Sequence, residues 1–585
     1  MRESEQSRQS VLPGAVLLDS LRQYSWKRFR GDLLAGLTVG VVAVPLAMAL
    51  AIAVDVPPEH GLYTAIVAGL IISLTGGSRF NVSGPTAAFV VILLPVVHDY
   101  GLGGLLVATT MAGLLLIAMG LARLGRLIQF IPYPVVVGFT AGIGVVIATL
   151  QIKDFLGLAV DSSSEHYLEM LLTLGAALPS LRWEDALLGV LTLGVLIGWS
   201  RLRTAIPGHL VALVLASVLA WLAMRYLPGF SVDTIAARFE WTSGDESGLG
   251  IPPLPPLPVL PWHLPGADGE PLGLSFSLVR DLMGPALAIA MLGAIESLLC
   301  AVVADGLTGT RHRPNAELVG QGLGNIITPF FGGITATAAI ARTATNIRSG
   351  AFSPIAGVIH ALVVLAAVVA LAGVLGHVPM AALAALLLVV AWNMSEARHF
   401  VHILRGAPAS DVVILLVCFL LTVFFDMVLA VGVGVALAAA LFIQRMANLT
   451  QAEQVDADGH RALSDLPDSV AVFDLDGPLF FGAAEQALST LHMVDPGVRV
   501  VIVDMQDVPS MDMTAIASLE GAIREMEHSG VALIFSRVPS RIIYKLRRAG
   551  IRKRTGQLTY CSGLKQARRV ALRWLAHQDR SPRPA

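Results

Sequence analysis

The chain has 585 residues, of which 55% are hydrophobic and 14% are charged, whereas soluble domains average about a quarter charged residues. Its mean hydropathy is +0.72, and many apolar runs approach the roughly twenty residues that a helix needs to cross a bilayer. These values exclude an ordinary soluble enzyme and indicate a polytopic membrane protein. The 3 cysteines are widely separated, so we expect neither a disulfide framework nor a CxxC metal site.

The apolar part of the chain forms two halves. A polar segment, 1–30, becomes basic near its end and lacks the pattern of a signal peptide, so we expect it to be cytoplasmic. The two membrane halves cover 31–226 and 279–445, and an external connection, 227–278, lies between them. Proline density in this connection favours an extended spacer without a role in ligand binding.

Each half contains seven predicted hydrophobic segments, fourteen in all. Arginine and lysine concentrate in the loops that a cytoplasmic N-terminus would place inside, which predicts that both chain termini are cytoplasmic. The predicted segments are 32–54, 61–75, 85–97, 103–122, 133–151, 184–200, 207–226, 279–303, 315–330, 338–348, 353–375, 378–392, 410–425 and 427–444.

Residues 332–350, GGITATAAIARTATNIRSG, are too polar and too rich in Gly and Thr for an ordinary membrane span. An earlier stretch repeats this pattern, because 85–90 (PTAAFV) matches 336–341 (ATAAIA). Broken hydrophobic segments at matching places in two halves indicate a transporter binding site near the bilayer midplane. A half-helix that begins there presents N–H groups without partners and roughly half a positive charge, which suits an anion. The sequence therefore predicts a membrane transporter for anions.

Two ionisable residues lie inside these apolar segments. A guanidinium in the membrane usually marks an ion pathway, although Arg342 could instead pair with a carboxylate or extend to the cytoplasmic face. Apolar surroundings favour the protonated form of Glu296, which makes it a candidate proton carrier; the alternative is a permanent salt bridge, perhaps with Arg342. Two helix termini plus Arg342 sum to roughly +2, which matches a dicarboxylate dianion if Glu296 is neutral. We therefore expect coupled entry of a proton and a dianion. For a monoanion, Glu296 could stay ionised.

Other polar residues of the membrane part have simpler interpretations. Glu317, Gln321 and Asn325 lie on one helical face, where hydrogen bonds between helices are their expected role. The sequence contains no metal-ligand cluster, no phosphate-binding loop and no nucleophile elbow. We therefore expect no enzymatic activity, no cofactor, no bound metal and no nucleic-acid partner.

The composition changes sharply after the second half. Residues 446–467 form a polar linker, residues 468–575 have a soluble α/β pattern, and residues 576–585 form a short tail. Alternating strands and helices predict a small open sheet with helices packed on it. The predicted strands are 470–475, 500–505 and 531–536, and the predicted helix is 515–529.

Three motifs carry a family resemblance: VSGPT at 82–86, NAELVGQGLGN at 315–325, and Arg342-Thr343 with Asn346-Ile347. With them the chain resembles the sulfate permease family of anion transporters over nearly its full length, and its C-terminal domain resembles the cytoplasmic STAS domain of that family. The resemblance implies a seven-plus-seven inverted repeat, a core domain that moves against a gate domain, and a homodimer. It implies that Glu296 of the eighth span faces substrate held between the third and tenth spans. The implied substrate-facing positions are Thr86, Ala87, Ala88, Ala339, Ile340, Ala341 and Arg342.

Within the family, the stretches at 76–92, 291–306 and 389–397 are similar to those of bacterial dicarboxylate-uptake members. This implies import of succinate, fumarate or aspartate across the inner membrane of a bacterium. Sodium-using relatives carry Asp at the place of Glu296 and hydroxyl residues near Cys300 and Ile340, so the departure here favours protons. One alternative is a transporter of sulfate, bicarbonate or another small inorganic anion, and an anion channel is a further one. Another class is a membrane-anchored sensor whose STAS domain recruits a cytosolic protein.

Thr514 is a candidate regulatory residue of the C-terminal domain. The resemblance places it where soluble STAS relatives carry a phosphorylated Ser or Thr at a helix N-terminus. Met513 and Ala515 depart from the small polar residue and the glycine of that motif. The alternative is an ordinary helix start with Asp512 as the N-cap.

Overall fold

The computed structural model describes residues 11–22, 24–126, 132–160, 167–199, 201–202, 204, 206–243, 246–425, 427–448, 451–454, 466–480 and 497–578. The chain divides into two compact units, Met1–Val435 and Ala436–Ala585. The start of the predicted segment 1–30, most of the predicted linker 446–467 and the end of the predicted tail 576–585 lie outside the described residues.

A helix is present for each of the fourteen predicted hydrophobic segments, and eight helices of the described part are long and apolar enough to cross a membrane. The first half contains α1 (Ala15–Leu21), α2 (Trp26–Ile52), α3 (Pro58–Thr75), α4 (Val90–Leu121), α5 (Tyr133–Leu156), α6 (Tyr167–Ala177), α7 (Trp183–Trp199) and α8 (Gly208–Tyr226). The connection and the second half contain α9 (Ile235–Arg238), α10 (Phe276–Asp281), α11 (Met283–Thr308), α12 (Pro314–Ile327), α13 (Ile340–Arg348), α14 (Ile355–Leu375), α15 (Met380–Met394), α16 (Ala397–Gly406), α17 (Ala409–Phe424) and α18 (Met427–Asn448).

Helix α4 contains both the third and the fourth predicted segments. Gly101 divides it, because this residue has a φ of 68° and a ψ of −174°, which is far from helical geometry. Side chains other than that of glycine rarely tolerate such a conformation, and a Cβ at Gly101 would also collide with the backbone of Gly266. The kink therefore lies between the two predicted segments, 85–97 and 103–122.

The membrane helices pack in two groups, which correspond to the core and gate domains. In the core group, α2 contacts α3 and α14, and α4 contacts α11 and α12; in the gate group, α5 contacts α15 and α17, and α7 contacts α8 and α15. Small residues permit close approach of the backbones. An added Cβ at Gly113 of α4 would lie 2.7 Å from the Gly322 carbonyl oxygen, and one at Gly322 of α12 would lie 2.6 Å from that of Gly113.

The connection between the halves is attached to both groups. It contains α9 and the hairpin of β2 (Glu240–Ser243) with β3 (Glu246–Leu249). Arg238 of α9 contacts the gate group through Asp154 at the end of α5, with a nitrogen–oxygen distance of 2.7 Å. Farther along, the carbonyl of Pro265 accepts a hydrogen bond of 3.0 Å from the Gly103 N–H in α4. The proline-rich segment therefore runs between two anchored ends.

The second unit is an open α/β sheet with the strand order β5 (Gln451–Gln454), β6 (Val470–Asp476), β7 (Val500–Asp504), β8 (Ala532–Ser536) and β9 (Leu558–Cys561). Strands β6 to β9 are parallel, and β5 is antiparallel to β6. Alternate residues of β7 face opposite sides: one set packs with α19 (Met513–His528) and α20 (Ser540–Arg548), the other with α21 (Leu564–Gln578). Helices cover both faces, which explains why the strands read as continuous apolar runs.

Candidate functional site

Two short strands in the core group define the candidate site. Strands β1 (Ser83–Gly84) and β4 (Thr337–Ala338) pair antiparallel, and Ser83 lies opposite Ala338. A 3-10 turn over Ala87–Phe89 leads from β1 into α4, and α13 begins at Ile340, directly after β4 and one further residue. Two helix N-termini therefore begin from one pair of strands, although the strands are far apart in the chain.

Neither helix start is capped by its own N-cap side chain. Thr86 precedes the 3-10 turn with extended backbone angles and makes no side-chain cap, and Ala339 precedes α13 without a side chain that could do so. The first N–H groups of a helix have no partner within the helix, and the helix dipole places partial positive charge there. Such a pair of termini inside a membrane protein is suited to an anion.

The structure brings the predicted site residues of the two stretches to these helix starts. The three predicted residues that follow β1 are all buried. In the first turn of α13, Ile340 and Ala341 are exposed, whereas the side chain of Arg342 is buried. The exposed fractions are 6% for Thr86, 6% for Ala87, 2% for Ala88, 41% for Ile340 and 4% for Arg342, while Ala339 is half-buried and Ala341 is exposed.

Glu296 of α11 reaches the same place. The Thr86 hydroxyl donates a hydrogen bond of 3.0 Å to Glu296 Oε2, and the neighbouring Ser297 hydroxyl pairs with that of Thr337 at 2.6 Å. Within the described residues, no ion pair of 4.0 Å or less joins Glu296 to Arg342. The structure therefore does not contain the salt bridge that the sequence left open as an alternative for Glu296.

Arg342 is buried and directed toward β1. Its Nη2 donates a hydrogen bond of 2.5 Å to the carbonyl oxygen of Pro85. A Cβ at Gly84 would lie 2.5 Å from Nη1 of Arg342, so only glycine leaves room for the guanidinium there. The positive charge consequently lies beside the end of β1, just before the 3-10 turn that leads into α4.

Sequence reasoning missed how α13 is attached to β1 and α11. The Thr343 hydroxyl oxygen accepts hydrogen bonds from the Val82 N–H and from the Cys300 thiol, each at 3.1 Å. The alternation of Thr with small residues over 335–345 is the sequence feature that could have indicated this attachment. Among the described residues, no group of three His, Cys, Asp or Glu side chains is arranged to hold a metal ion.

Thr514 belongs to the second unit. It is exposed in the first turn of α19, next to Met513. Asp512 is the N-cap of this helix, and its carboxylate accepts the Ala515 N–H at 2.8 Å. The capping role that the sequence offered as the alternative is thus present, and the Thr514 hydroxyl lies at the surface.

Comparison with known proteins gives consistent matches over both units. The model of the "Sulfate permease family" matches residues 29–418, and that of the "STAS domain" matches residues 462–560. The chain is 41% identical to the putative sulfate transporter YvdB of Bacillus subtilis over 514 residues, which are 87% of this chain and 92% of that protein. It is 33% identical to the bicarbonate transporter BicA of Picosynechococcus over 531 residues, 86% of this chain and 87% of that protein.

A solved structure shares the fold of the chain. The murine Slc26a9 anion transporter in the inward-facing state superposes with a TM-score of 0.77 and 19% sequence identity. The match covers 92% of this chain and 90% of that one. At this identity the likeness concerns the fold alone.

Proposed function

Because this chain belongs to the sulfate permease family of anion transporters, we propose that it imports four-carbon dicarboxylates such as succinate, fumarate or aspartate together with protons. The observation that carries the proposal is the meeting of two uncapped helix N-termini with buried Arg342 and with Glu296, which Thr86 contacts at 3.0 Å. The proposed membrane is the inner membrane of a bacterium, with both termini in the cytoplasm.

The charges at the site support a dianion. The two helix N-termini contribute roughly one positive charge and Arg342 contributes another. An ionised Glu296 beside Thr86 would leave a net charge of roughly +1, whereas a protonated Glu296 leaves roughly +2 for the substrate. Because Glu296 forms no ion pair of 4.0 Å or less with Arg342 within the described residues, a proton would neutralise its carboxylate without breaking a salt bridge. Proton uptake at Glu296 would therefore accompany dianion binding.

Each predicted site residue has a distinct role in this proposal. The backbone N–H groups of Ala87 and Ala88, and those of Ile340 and Ala341, would face the substrate carboxylates. Ala339 would line the site without donating to it, because its N–H donates to the Val82 carbonyl at 3.1 Å. Arg342 would supply the charge, and Thr86 would hold Glu296 in place as the proton carrier. The Cys300 thiol donates a hydrogen bond to the Thr343 hydroxyl, so both groups already have a partner within the protein where sodium-using relatives carry hydroxyl residues. This supports protons over sodium as the coupling ion.

A second candidate substrate is bicarbonate, sulfate or another small inorganic anion. It is favoured by the names of the two relatives, a putative sulfate transporter and a bicarbonate transporter. A monoanion would leave Glu296 ionised, with its charge offset by Arg342 and the helix termini. Bicarbonate and succinate therefore differ in whether Glu296 must gain a proton, whereas sulfate, a dianion, would require the same protonation as succinate.

The assembly and the C-terminal unit belong to the same proposal. We propose a homodimer in the bilayer, and a STAS domain over 468–575 that binds a cytosolic protein partner. Exposure of Thr514 at a helix N-terminus supports a regulatory role for its hydroxyl. The proposed domain boundaries are those predicted from the sequence.

The test is uptake of radiolabelled succinate into proteoliposomes with and without an inward proton gradient. We expect gradient-driven accumulation by the wild type and loss of the response to the gradient in Glu296→Gln. Glu270→Gln, an exposed carboxylate of the connection, serves as the matched control and should behave as the wild type.

Three other outcomes would change the conclusion. Movement of sulfate or bicarbonate without succinate would support the second candidate. Ligand binding without any flux would indicate a membrane-anchored sensor that acts through its STAS domain. Flux that never accumulates anion against a gradient would indicate a channel.

A further inference from the structure

Three polar side chains, one helical turn apart, are buried along α12. Glu317, Gln321 and Asn325 have exposed fractions of 1%, 0% and 1%. Hydrogen bonding between helices is the role that the sequence predicts for them. Their main partners in the structure are instead β1, the loop before β1 and the residue before β4. We call these three residues the α12 ladder.

Glu317, the first member of the ladder, fixes the loop that enters β1. Its Oε2 accepts the N–H groups of Gly77 and Ser78 at 2.8 and 2.9 Å, and its Oε1 accepts Nδ2 of Asn81 at 2.8 Å. These donors offset the charge of a carboxylate that is almost inaccessible to solvent. Buried carboxylates without such donors are strongly destabilising.

Gln321, the second member, contacts β1 itself. Its Nε2 donates to the Ser83 hydroxyl at 3.1 Å and to Glu317 Oε1 at 3.2 Å. Ser83 is the residue of β1 that lies opposite Ala338 of β4. Gln321 therefore connects the first part of the ladder to the strand pair.

Asn325, the third member, holds the residue before β4. Its Nδ2 donates to the Ala336 carbonyl oxygen at 2.9 Å, and its Oδ1 accepts the Ala336 N–H at 2.9 Å. An amide side chain thus pairs with both backbone groups of one residue, as a neighbouring strand would. One rigid helix consequently fixes the entrances to both half-helices.

We propose that the α12 ladder consists of positioning residues that set the separation of the two helix N-termini and thereby the affinity for the transported anion. This inference rests on the proposed transport function. The ladder acts from behind the strands and does not touch the anion. The effect of the charge at a helix terminus falls off within the first turn, so anion binding depends on both termini being held in place. Buried hydrogen bonds that preorganise the termini therefore raise the affinity.

The test is a double-mutant cycle across the hydrogen bond between Gln321 and Ser83. Gln321→Met keeps the size of the side chain and Ser83→Ala removes the acceptor; the double variant removes both. We expect the KM for uptake to rise about threefold to tenfold in each single variant, which is the range of one net hydrogen bond. The double variant should resemble the single ones, because all three lose the same bond.

Thr192→Val is the matched control, because the Thr192 hydroxyl is fully buried but donates only to Leu188 of its own helix. It should leave KM unchanged. A purely structural role of the ladder would instead lower the unfolding temperature and the maximal rate together at unchanged KM. Unchanged KM in both single variants, or increases that multiply in the double variant, would overturn the proposal.

The substrate is whichever of succinate, bicarbonate and sulfate the wild type transports. Calorimetric titration of the purified full chain with the same three anions gives the dissociation constant independently of flux. Binding without flux would contradict the proposed transport function and still test the ladder through the ratio of dissociation constants. Flux with unaltered affinity in the ladder variants would contradict the ladder alone.

Discussion

A methyl group added at Gly84 should displace the guanidinium of Arg342 without removing its charge. In Gly84→Ala the new Cβ would lie 2.5 Å from Nη1 of Arg342, whereas its next neighbour, the Cα of Ala65, is at 3.5 Å. Restoring an ordinary contact requires a shift of roughly 1 Å. Among those neighbours the guanidinium is the group that must yield, and the φ of +159° at Gly84 adds backbone strain that the folding check must account for.

The size of the effect depends on the charge of the substrate. If the shift increases the distance between the guanidinium and an anionic charge from roughly 4 to roughly 5 Å, the interaction weakens by about 0.8 kcal/mol at an effective dielectric constant of about 20. This corresponds to about a fourfold increase in KM for a monoanion and about fifteenfold for a dianion. The size of the KM increase in Gly84→Ala therefore also distinguishes a dianion such as succinate from a monoanion such as bicarbonate as the transported substrate.

The assay is uptake kinetics for both anions in proteoliposomes, with size-exclusion chromatography as the check on folding. Gly306→Ala is the control, because a Cβ at Gly306 would meet nothing within 4 Å. We expect this control to keep the KM of the wild type. A KM unchanged in a well-folded Gly84→Ala variant would refute the placement of the Arg342 charge beside the substrate.

Three further results concern regions outside the site, and each is measured on the purified full chain. Asp512→Ala removes the N-cap of α19 and should lower the stability of the second unit by about 0.5–2 kcal/mol, which amide hydrogen exchange in β7 would detect. Burial raises the pKa of Asp474, so the stability that its protonated form contributes is lost as the pH rises through the raised pKa. Near neutral pH, amide exchange in β7 should therefore be slower in Asp474→Asn than in the wild type, whereas below the ordinary pKa of Asp the two proteins should exchange alike. Equal rates in variant and wild type at neutral pH would contradict this. Arg238→Met leaves Asp154 and Asp233 without their shared cation and should lower the unfolding temperature in detergent; an unchanged temperature would show that the anchor of the connection contributes little.

The elements of the fold follow from local sequence. Apolar runs of membrane-spanning length predict helices in any context, and a helix is present for every predicted segment. The break at Gly101 and the N-cap at Asp512 follow from local backbone preferences as well. In the second unit, buried apolar strands alternate with helical stretches, and this pattern predicts a small open sheet with helices packed on it.

The sequence also indicated the site through the repeated pattern at 85–90 and 336–341, because both stretches start helices in the middle of apolar segments. It identified Glu296 and Arg342 as unusual, since charged groups in apolar runs require a partner or a function. It left open which partner each one has.

Only the tertiary structure decided those partners. It pairs β1 with β4, turns Arg342 to the Pro85 carbonyl, and gives Glu296 the Thr86 hydroxyl. The α12 ladder contacts β1, the loop before it and the residue before β4, whereas the sequence suggested contacts with other helices. A buried polar group must find a hydrogen-bond partner, but its own sequence neighbourhood does not specify which distant segment provides it. That choice depends on how all the helices pack at once, and so the site is a property of the packed core group.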